Sequence, residues 1–482
     1  MSAISLIPVL SVTGLLLSGL AMVMLVPAAV DVLAGDPNWQ VFAASAVITG
    51  TIGSLLAIAM HRPNAMRMTV RQAFLTTAVV WIAMSASSAL PFVGVGLDYD
   101  DAVFEAVSGL TTTGSTVITG LDGLAPGVLF WRSLLQWIGG VGIVVMAIIM
   151  LPFLRVGGMQ LFRTESSDQS EKIVPRPLEL VGHIAAIYVG FSIACMVGYA
   201  LAGMSLFDAL NHAMTTISTG GYSTRDVSFG YFTPAAQWLA VVFMLAGALP
   251  FVVYIKAIKG EPLALWRDVQ VRAIIGFLTA VSFVTAIWLS LSQEIPFLEG
   301  LRLAAFNVVS ITTTTGYAST NYVEWGAPAI GLFLLLTFIG GCTGSTAGGI
   351  KVYRFQVLGV IIRGHVQSLA RPSRVVTLKY AGHRLPNDVP VSVLAFLAVY
   401  IGTVATVTLI LTMMGLDLVT ALSSAAQAVA NVGPGLGEIV GPAGNFAELP
   451  DAAKWVLSVS MLMGRLELFT ILLLFAPEFW RG

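Results

Sequence analysis

Four polar stretches, each built on a glycine, interrupt an otherwise apolar chain: LTTTGSTVITG from Leu110, ISTGGYSTRD from Ile217, ITTTTGYAS from Ile311 and VANVGPGLGE from Val429. With Gly114, Gly220, Gly316 and Gly433 aligned, a polar side chain lies nine residues before each (Glu105, Asn211, Asn307, Ser424), and another glycine 25 to 31 residues after (Gly140, Gly247, Gly341, Gly464). One such turn also suits close packing between helices, where threonine and small residues are common. Four in register form an internal repeat. Glycine permits backbone angles that a Cβ disfavours, and four glycine turns meeting on one axis can present rings of carbonyl oxygens that replace the water shell of a cation. The threonines add hydroxyl oxygens, and their branched side chains stiffen the backbone.

Two further features bear on such a pathway. FIGGCTGSTAGGIK, residues 338–351, holds Gly340, Gly341, Gly344, Gly348 and Gly349 with Thr343, Ser345 and Thr346. A glycine inside a helix costs about 1 kcal/mol relative to alanine, so this run predicts a broken span. Broken backbone at membrane depth survives where it is buried in protein or lines a cavity; a glycine-rich helix contact is the alternative. In MLMGRLELF, Arg465 lies within the last apolar run, where an arginine costs roughly 2.5–3.5 kcal/mol on insertion scales. A positive charge below a cation pathway meters permeation; pairing with Glu467, or with carbonyls of the broken helix, is the other role open to it. The expected gate is Arg465 together with residues 340–349.

The elements that must position these residues follow from composition. The chain has 482 residues, 57% hydrophobic and 10% charged, against about 25% charged in soluble domains. Apolar runs near the ~20 residues that span a bilayer as helix fall at 4–30, 40–60, 72–95, 129–153, 181–203, 236–257, 273–292, 328–361, 390–414 and 453–477. The first lacks a basic n-region and a clear cleavage site, so it reads as a retained span rather than a signal peptide. Runs of about a dozen residues at 101–112, 207–218, 301–313 and 418–430 are too short to cross and fit re-entrant helices.

Nineteen of the 24 Lys and Arg fall on one face: Arg62, Arg67, Arg71, Arg155, Arg163, Lys172, Arg176, Lys256, Lys259, Arg267, Arg272, the series from Lys351 through Arg374 to Arg384, and Arg481. That face is cytoplasmic by the positive-inside rule. The other holds Arg132, Arg225, Arg302 and Lys454 with most of the acids, Glu105 and Asp122 among them, which raises the local cation concentration. Every repeat starts at the basic face, so the repeats are parallel and form a ring about the membrane normal; inverted repeats, found in many secondary transporters, would alternate. The expected fold is an all-α polytopic membrane protein: an N-terminal transmembrane hairpin at 1–60, then repeats at 61–155, 156–260, 261–362 (with a broken second span) and 363–482.

The set TTGS, STGGYS, TTTTGY and NVGPG resembles the Trk/Ktr/HKT superfamily of potassium transporters, and within it the TrkH-type bacterial uptake proteins. The likeness covers essentially the whole chain from about residue 60, and the first two spans match the extra hairpin of those members. The resemblance implies a pseudo-four-fold, potassium-channel-like fold of four tandem span–re-entrant pore helix–span repeats. It implies K+ as the transported ion, with carbonyls of Thr112, Thr113, Ser218, Thr219, Thr314, Thr315, Asn431 and Val432 lining its sites beside Gly114, Gly220, Gly316 and Gly433. It also implies a pore obstructed by the 340–349 loop, a pore-facing Arg465, and gated potassium uptake across the bacterial inner membrane. In plant relatives serine at the first filter glycine accompanies sodium transport, so Gly114 favours potassium. A homodimer with one pore per subunit, and cytoplasmic nucleotide-binding regulatory subunits of the TrkA type, are implied as partners. The basic segment 351–384 suits either their docking or anionic membrane lipid.

Other function classes lack residues. No G-x-x-x-x-G-K-[ST] run is present, so the chain is not expected to bind a nucleotide. Cys195, Cys342 and the five histidines show no ligand spacing, no paired acids within spans suggest an enzyme, and a net charge of −1 gives no sign of nucleic acid. The alternative to a channel-like pore is an H+- or Na+-coupled symporter. Proton relays use ionisable residues within spans, and only Arg465 and Glu467 lie clearly there.

Overall fold

In lipid a backbone must satisfy its own hydrogen bonds, which leaves long apolar runs one open-ended solution, the helix. The structure, a computed structural model, describes residues 4–60, 68–150, 177–373 and 376–481. Arg62, Arg67, Arg155, Arg163, Lys172, Arg176 and Arg374, and the repeat boundaries expected at 61 and 155–156, lie outside the described residues. Among those described, seven helices are long and apolar enough to cross a membrane: Ile7–Ala34, Trp39–Ala59, Val70–Gly94, Pro126–Met146, Glu179–Leu201, Val269–Ser292 and Asp388–Met413.

The remaining three expected spans are all interrupted. Pro234–Ala248 and Phe251–Ile258 meet at 95°, and Asp451–Arg465 and Leu468–Phe475 at 108°. Ala327–Thr337 and Val352–Ala370 flank the glycine-rich loop. Repeats 2, 3 and 4 thus each have a broken second span, where the sequence suggested a break in the third alone. In repeat 2 the cause is Pro250, which drives Leu249 out of the helical region to ψ 158°. In repeat 4 the break falls at Glu467, with φ of 63°. No proline marks it.

The four short helices form as Tyr99–Leu110, Leu206–Ile217, Phe297–Thr312 and Leu418–Ala430. Two begin on side-chain caps: Ser205 accepts from the Asp208 N–H, and Asp417 from Val419 and Thr420. Their C-terminal turns are wholly buried. One core cluster joins the N-terminal hairpin to repeats 1 and 4, and a second fills repeats 2 and 3. The only strands among the described residues are a two-residue hairpin, Lys379–Tyr380 with His383–Arg384.

The N-terminal hairpin is held by backbone-to-backbone approach. A β-carbon on Gly14 would lie 2.5 Å from the Ala57 nitrogen and 2.7 Å from the Gly53 oxygen, whereas one on Gly19 would meet open space. Asp31 then ties the hairpin to repeat 1, its Oδ1 accepting from the Gly127 N–H at 2.5 Å in the first turn of the following span, where the helix dipole favours a carboxylate. Overpacking costs about 1–3 kcal/mol, so Gly14→Leu is expected to lower the thermal midpoint of the detergent-purified protein by several degrees. Gly19→Leu is expected to leave it unchanged, and equal midpoints for the two variants would refute the glycine contact.

Candidate functional site

Each short helix ends in the same way. A residue just past its last helical position enters the left-handed region: Thr112 (φ 54°), Thr219 (53°) and Thr314 (58°) two positions on, and Asn431 (56°) one position on. Its N–H bonds back to Gly109, Thr216, Ile311 or Ala428, and the next N–H to Ser108, Thr215, Ser310 or Gln427. This is the Schellman pattern, in which the left-handed residue is usually glycine. Three β-branched threonines there are unusual. The motif turns the chain sharply and delivers a glycine two residues on, at Gly114, Gly221, Gly316 and Gly433, all with positive φ.

In repeat 2 the equivalent glycine is therefore Gly221, one residue beyond the Gly220 chosen from sequence. Gly220 has no positive φ and corresponds to Thr113, Thr315 and Val432, while Ser218 corresponds to Thr111 and Thr313. The two glycines do different things. A β-carbon on Gly220 would strike the Gln136 side chain at 2.4 Å. That amide clamps the turn: Nε2 donates to the Gly220 carbonyl at 2.6 Å and Oε1 accepts from the Tyr222 N–H at 3.0 Å.

The four turns close on one another. A β-carbon on Gly114 would lie 2.2 Å from the Gly220 carbonyl oxygen, one on Gly221 1.8 Å from that of Thr315, one on Gly316 2.0 Å from that of Val432, and one on Gly433 2.8 Å from that of Thr113. Repeat 1 backs onto 2, 2 onto 3, 3 onto 4 and 4 onto 1. The four glycines line a single cavity with Ser115, Tyr222, Pro434 and Arg225. The residue after each glycine braces the preceding repeat. Tyr222 donates to the Glu105 carbonyl at 2.9 Å, Tyr317 meets the Thr215 and Thr216 hydroxyls, and Ser115 donates to the Gly433 carbonyl at 2.8 Å. Asn431 adds a strut to the Thr113 hydroxyl at 2.9 Å.

Behind the first turn sits a fully buried ion pair. Arg132 Nε lies 2.7 Å from Glu105, its Nη1 donates to the Ser223 carbonyl at 3.0 Å, its Nη2 to the Thr116 hydroxyl, and its guanidinium lies 4.1 Å from the centre of the Tyr222 ring. Neither residue belongs to the outer surface, where sequence placed both. The matching positions are His212, whose Nε2 is 2.9 Å from the Ser223 hydroxyl, and Asn307, bonded to Ser319. His212 replaces Asn211 for the same one-residue reason. At the cavity mouth Arg225 bonds Asp122 at 2.9 Å and holds that carboxyl below its ordinary pKa.

The glycine-rich loop lies against the opposite, helix-terminal side of the turns. Its neck is pinned by Gly340 N–H to the Ile350 carbonyl and Ile350 N–H to that of Phe338. Gly348 N–H donates to the Thr314 hydroxyl at 2.7 Å, Gly349 N–H to the Ala430 carbonyl at 2.8 Å, and the Thr346 hydroxyl to the Ile217 and Gly247 carbonyls. Thr343 N–H reaches Gln270, the Gly344 carbonyl accepts from Phe251, Ser345 folds onto the Cys342 carbonyl, and Gly341 packs on Ala248. The buried Arg465 donates to the Thr346 carbonyl at 2.9 Å and the Gly139 carbonyl at 3.4 Å. Of its two possible partners, then, it takes carbonyls; Glu467 pairs with Arg354 at 3.0 Å.

Breaking a buried ion pair from one side costs about 3–5 kcal/mol, whereas replacing both partners by apolar residues is often neutral. Glu105→Leu and Arg132→Met are each expected to lower the unfolding midpoint strongly. The double variant is expected to recover much of the loss in a double-mutant cycle; additive losses would contradict the pairing.

Comparison with known proteins agrees with this fold. The model of the TrkH family, described as cation transport protein, matches residues 38–481. The Trk system potassium uptake protein TrkI of Halomonas elongata is 46% identical over 479 residues, 98% of this chain and 97% of that protein. The corresponding TrkH of Escherichia coli K12 is 36% identical over 479 residues, 98% of each. The crystal structure of the potassium transporter TrkH from Vibrio parahaemolyticus aligns with a TM-score of 0.91 at 35% identity, over 99% of this chain and 100% of that one. With a match of this extent on the helices of a multi-pass membrane protein, the chain belongs to the TrkH family of cation transport proteins.

Proposed function

We propose that the protein takes up potassium across the bacterial inner membrane through a selective, gated, channel-like pore. The observation that carries this reading is the closed ring of four turns, Gly114, Gly221, Gly316 and Gly433, each against a carbonyl of the next repeat. Backbone carbonyls gathered on one axis replace the hydration shell of a cation. The filter consists of these glycines with Thr112, Thr113, Thr219, Gly220, Thr314, Thr315, Asn431 and Val432, and Ser218 stands one position further back. The names of the relatives, Trk system potassium uptake proteins, support potassium as the cargo.

The gate comprises the 340–349 loop and Arg465. The loop is held by several hydrogen bonds to repeat 2 and by fewer to repeats 3 and 4, and Arg465 adds a charge-assisted one to its Thr346 carbonyl. A positive charge here repels an entering cation and also latches the loop. The basic helix Val352–Ala370 and the hairpin after it follow directly from the loop, and they serve as the docking surface for cytoplasmic nucleotide-binding subunits of the TrkA type. The working assembly is a homodimer with one pore per chain.

Single-channel recording tests the reading. Resolved unitary potassium currents are expected, with a reversal potential insensitive to pH, and Arg465→Ala is expected to raise rubidium flux into liposomes several-fold. A pH-dependent reversal potential would point instead to coupled symport, and unchanged flux in folded Arg465→Ala would remove it from the gate. A β-carbon at Gly114 meets the Gly220 carbonyl, so Gly114→Ser must widen that quarter of the ring. The relative sodium permeability of this variant is expected to rise about ten-fold or more, a loss of about 1.4 kcal/mol in discrimination; an unaltered ratio in bi-ionic recordings would oppose this assignment.

A further inference from the structure

The broken second span of repeat 2 leaves a groove. After the 95° bend, Phe251–Ile258 runs away from Pro234–Ala248. Between it and the Glu179–Leu201 helix lies an apolar cavity of about 490 Å³ along Ile187, Gly190, Phe191, Tyr254 and Ile255, which ends at His183 and Lys259. Both of those are exposed. The bent segment buries Phe251, Val253, Tyr254 and Ile255 and leaves Ile258 74% exposed. Exposed Leu263 and Trp266 follow, with Arg267 beside them.

Exposed apolar and tryptophan side chains next to Lys and Arg are what a helix lying in the membrane interface presents. The basic residues put this interface on the cytoplasmic leaflet, whose anionic headgroups attract cations held near the surface. An apolar slot that opens at lipid depth and ends at a lysine matches one ligand chemistry, an acyl chain carrying a negatively charged headgroup. We propose that this groove binds an anionic phospholipid of the cytoplasmic leaflet, with a chain along Ile187, Gly190, Phe191 and Tyr254 and its phosphate at Lys259 and His183. The bent segment that forms one wall is tied to the glycine-rich loop, since Phe251 N–H donates to the Gly344 carbonyl at 3.0 Å.

Native mass spectrometry of the full-length protein, titrated with dioleoylphosphatidylglycerol or dioleoylphosphatidylcholine, tests this. The mass readout succeeds or fails independently of ion conduction. The phosphatidylglycerol is expected to be retained about five-fold more strongly, the effect of about one basic side chain near an anionic surface. Lys259→Gln is expected to abolish that preference. A β-carbon at Gly190 meets open space, so Gly190→Leu fills the groove without striking the protein and is expected to remove the bound lipid. Ala186→Phe fills it from an adjacent turn as a second, independent test. Equal retention of the two lipids by the unaltered protein, or undiminished retention in both filled variants, would overturn the proposal. A shift of Gly190→Leu from dimer to monomer mass would overturn it too, by making the groove a contact between copies.

Discussion

Four glycines each back onto a carbonyl oxygen of the neighbouring repeat so closely that a β-carbon would fall 1.8 to 2.8 Å from it. Everything around the centre of the protein serves that contact. Each short helix must stop at a fixed point, reverse through a left-handed residue and present its glycine two positions later. Thr112, Thr219 and Thr314 adopt that conformation at a cost of about 1–2 kcal/mol each. They are held there by two backbone hydrogen bonds apiece and by complete burial. The strain stays because the surrounding packing leaves no other path for the chain.

The four quarters share a backbone but not their bracing. Tyr222 and Tyr317 reach back to the preceding repeat through hydroxyls, Ser115 does so with a short side chain, and Pro434 packs on Gly316. Behind the first turn stands an ion pair, and behind the second and third stand a histidine and an asparagine. A buried ion pair is weak evidence for stability in itself. Here Arg132 also bonds a carbonyl and a hydroxyl of two different repeats, so its contribution is to fix one turn relative to the next.

The loop and the ring are mechanically joined. Thr314 is both a left-handed residue of the third turn and the acceptor for Gly348, while the Ala430 carbonyl, at the end of the fourth short helix, accepts from Gly349. Gly348 and Gly340 are glycines because carbonyl oxygens lie about where their β-carbons would be, at 2.3 and 2.1 Å. Arg465 closes the arrangement from the last span. Among the described residues its hydrogen bonds go to carbonyls, while the nearby Glu467 is drawn to Arg354, itself stacked on Phe396 at 3.7 Å.

The sequence by itself determined the class of this protein: ten apolar runs, four short amphipathic helices and four glycine turns, because hydropathy and glycine placement are local properties that lipid reads directly. It also pointed to a break within residues 338–351, with a glycine-rich helix contact as the alternative. The tertiary structure decided which glycine of Gly220–Gly221 enters the ring, since two adjacent glycines are equivalent until Gln136 occupies the space beside the first. That one-residue shift carried His212 into the position sequence gave to Asn211. Tertiary structure also decided that Glu105 and Arg132 are partners inside the protein, because residues 27 positions apart meet only when the short helix folds back against the following span. And it decided the bend at Glu467, where no proline stands and the path of the chain is set by neighbours that a linear sequence does not contain.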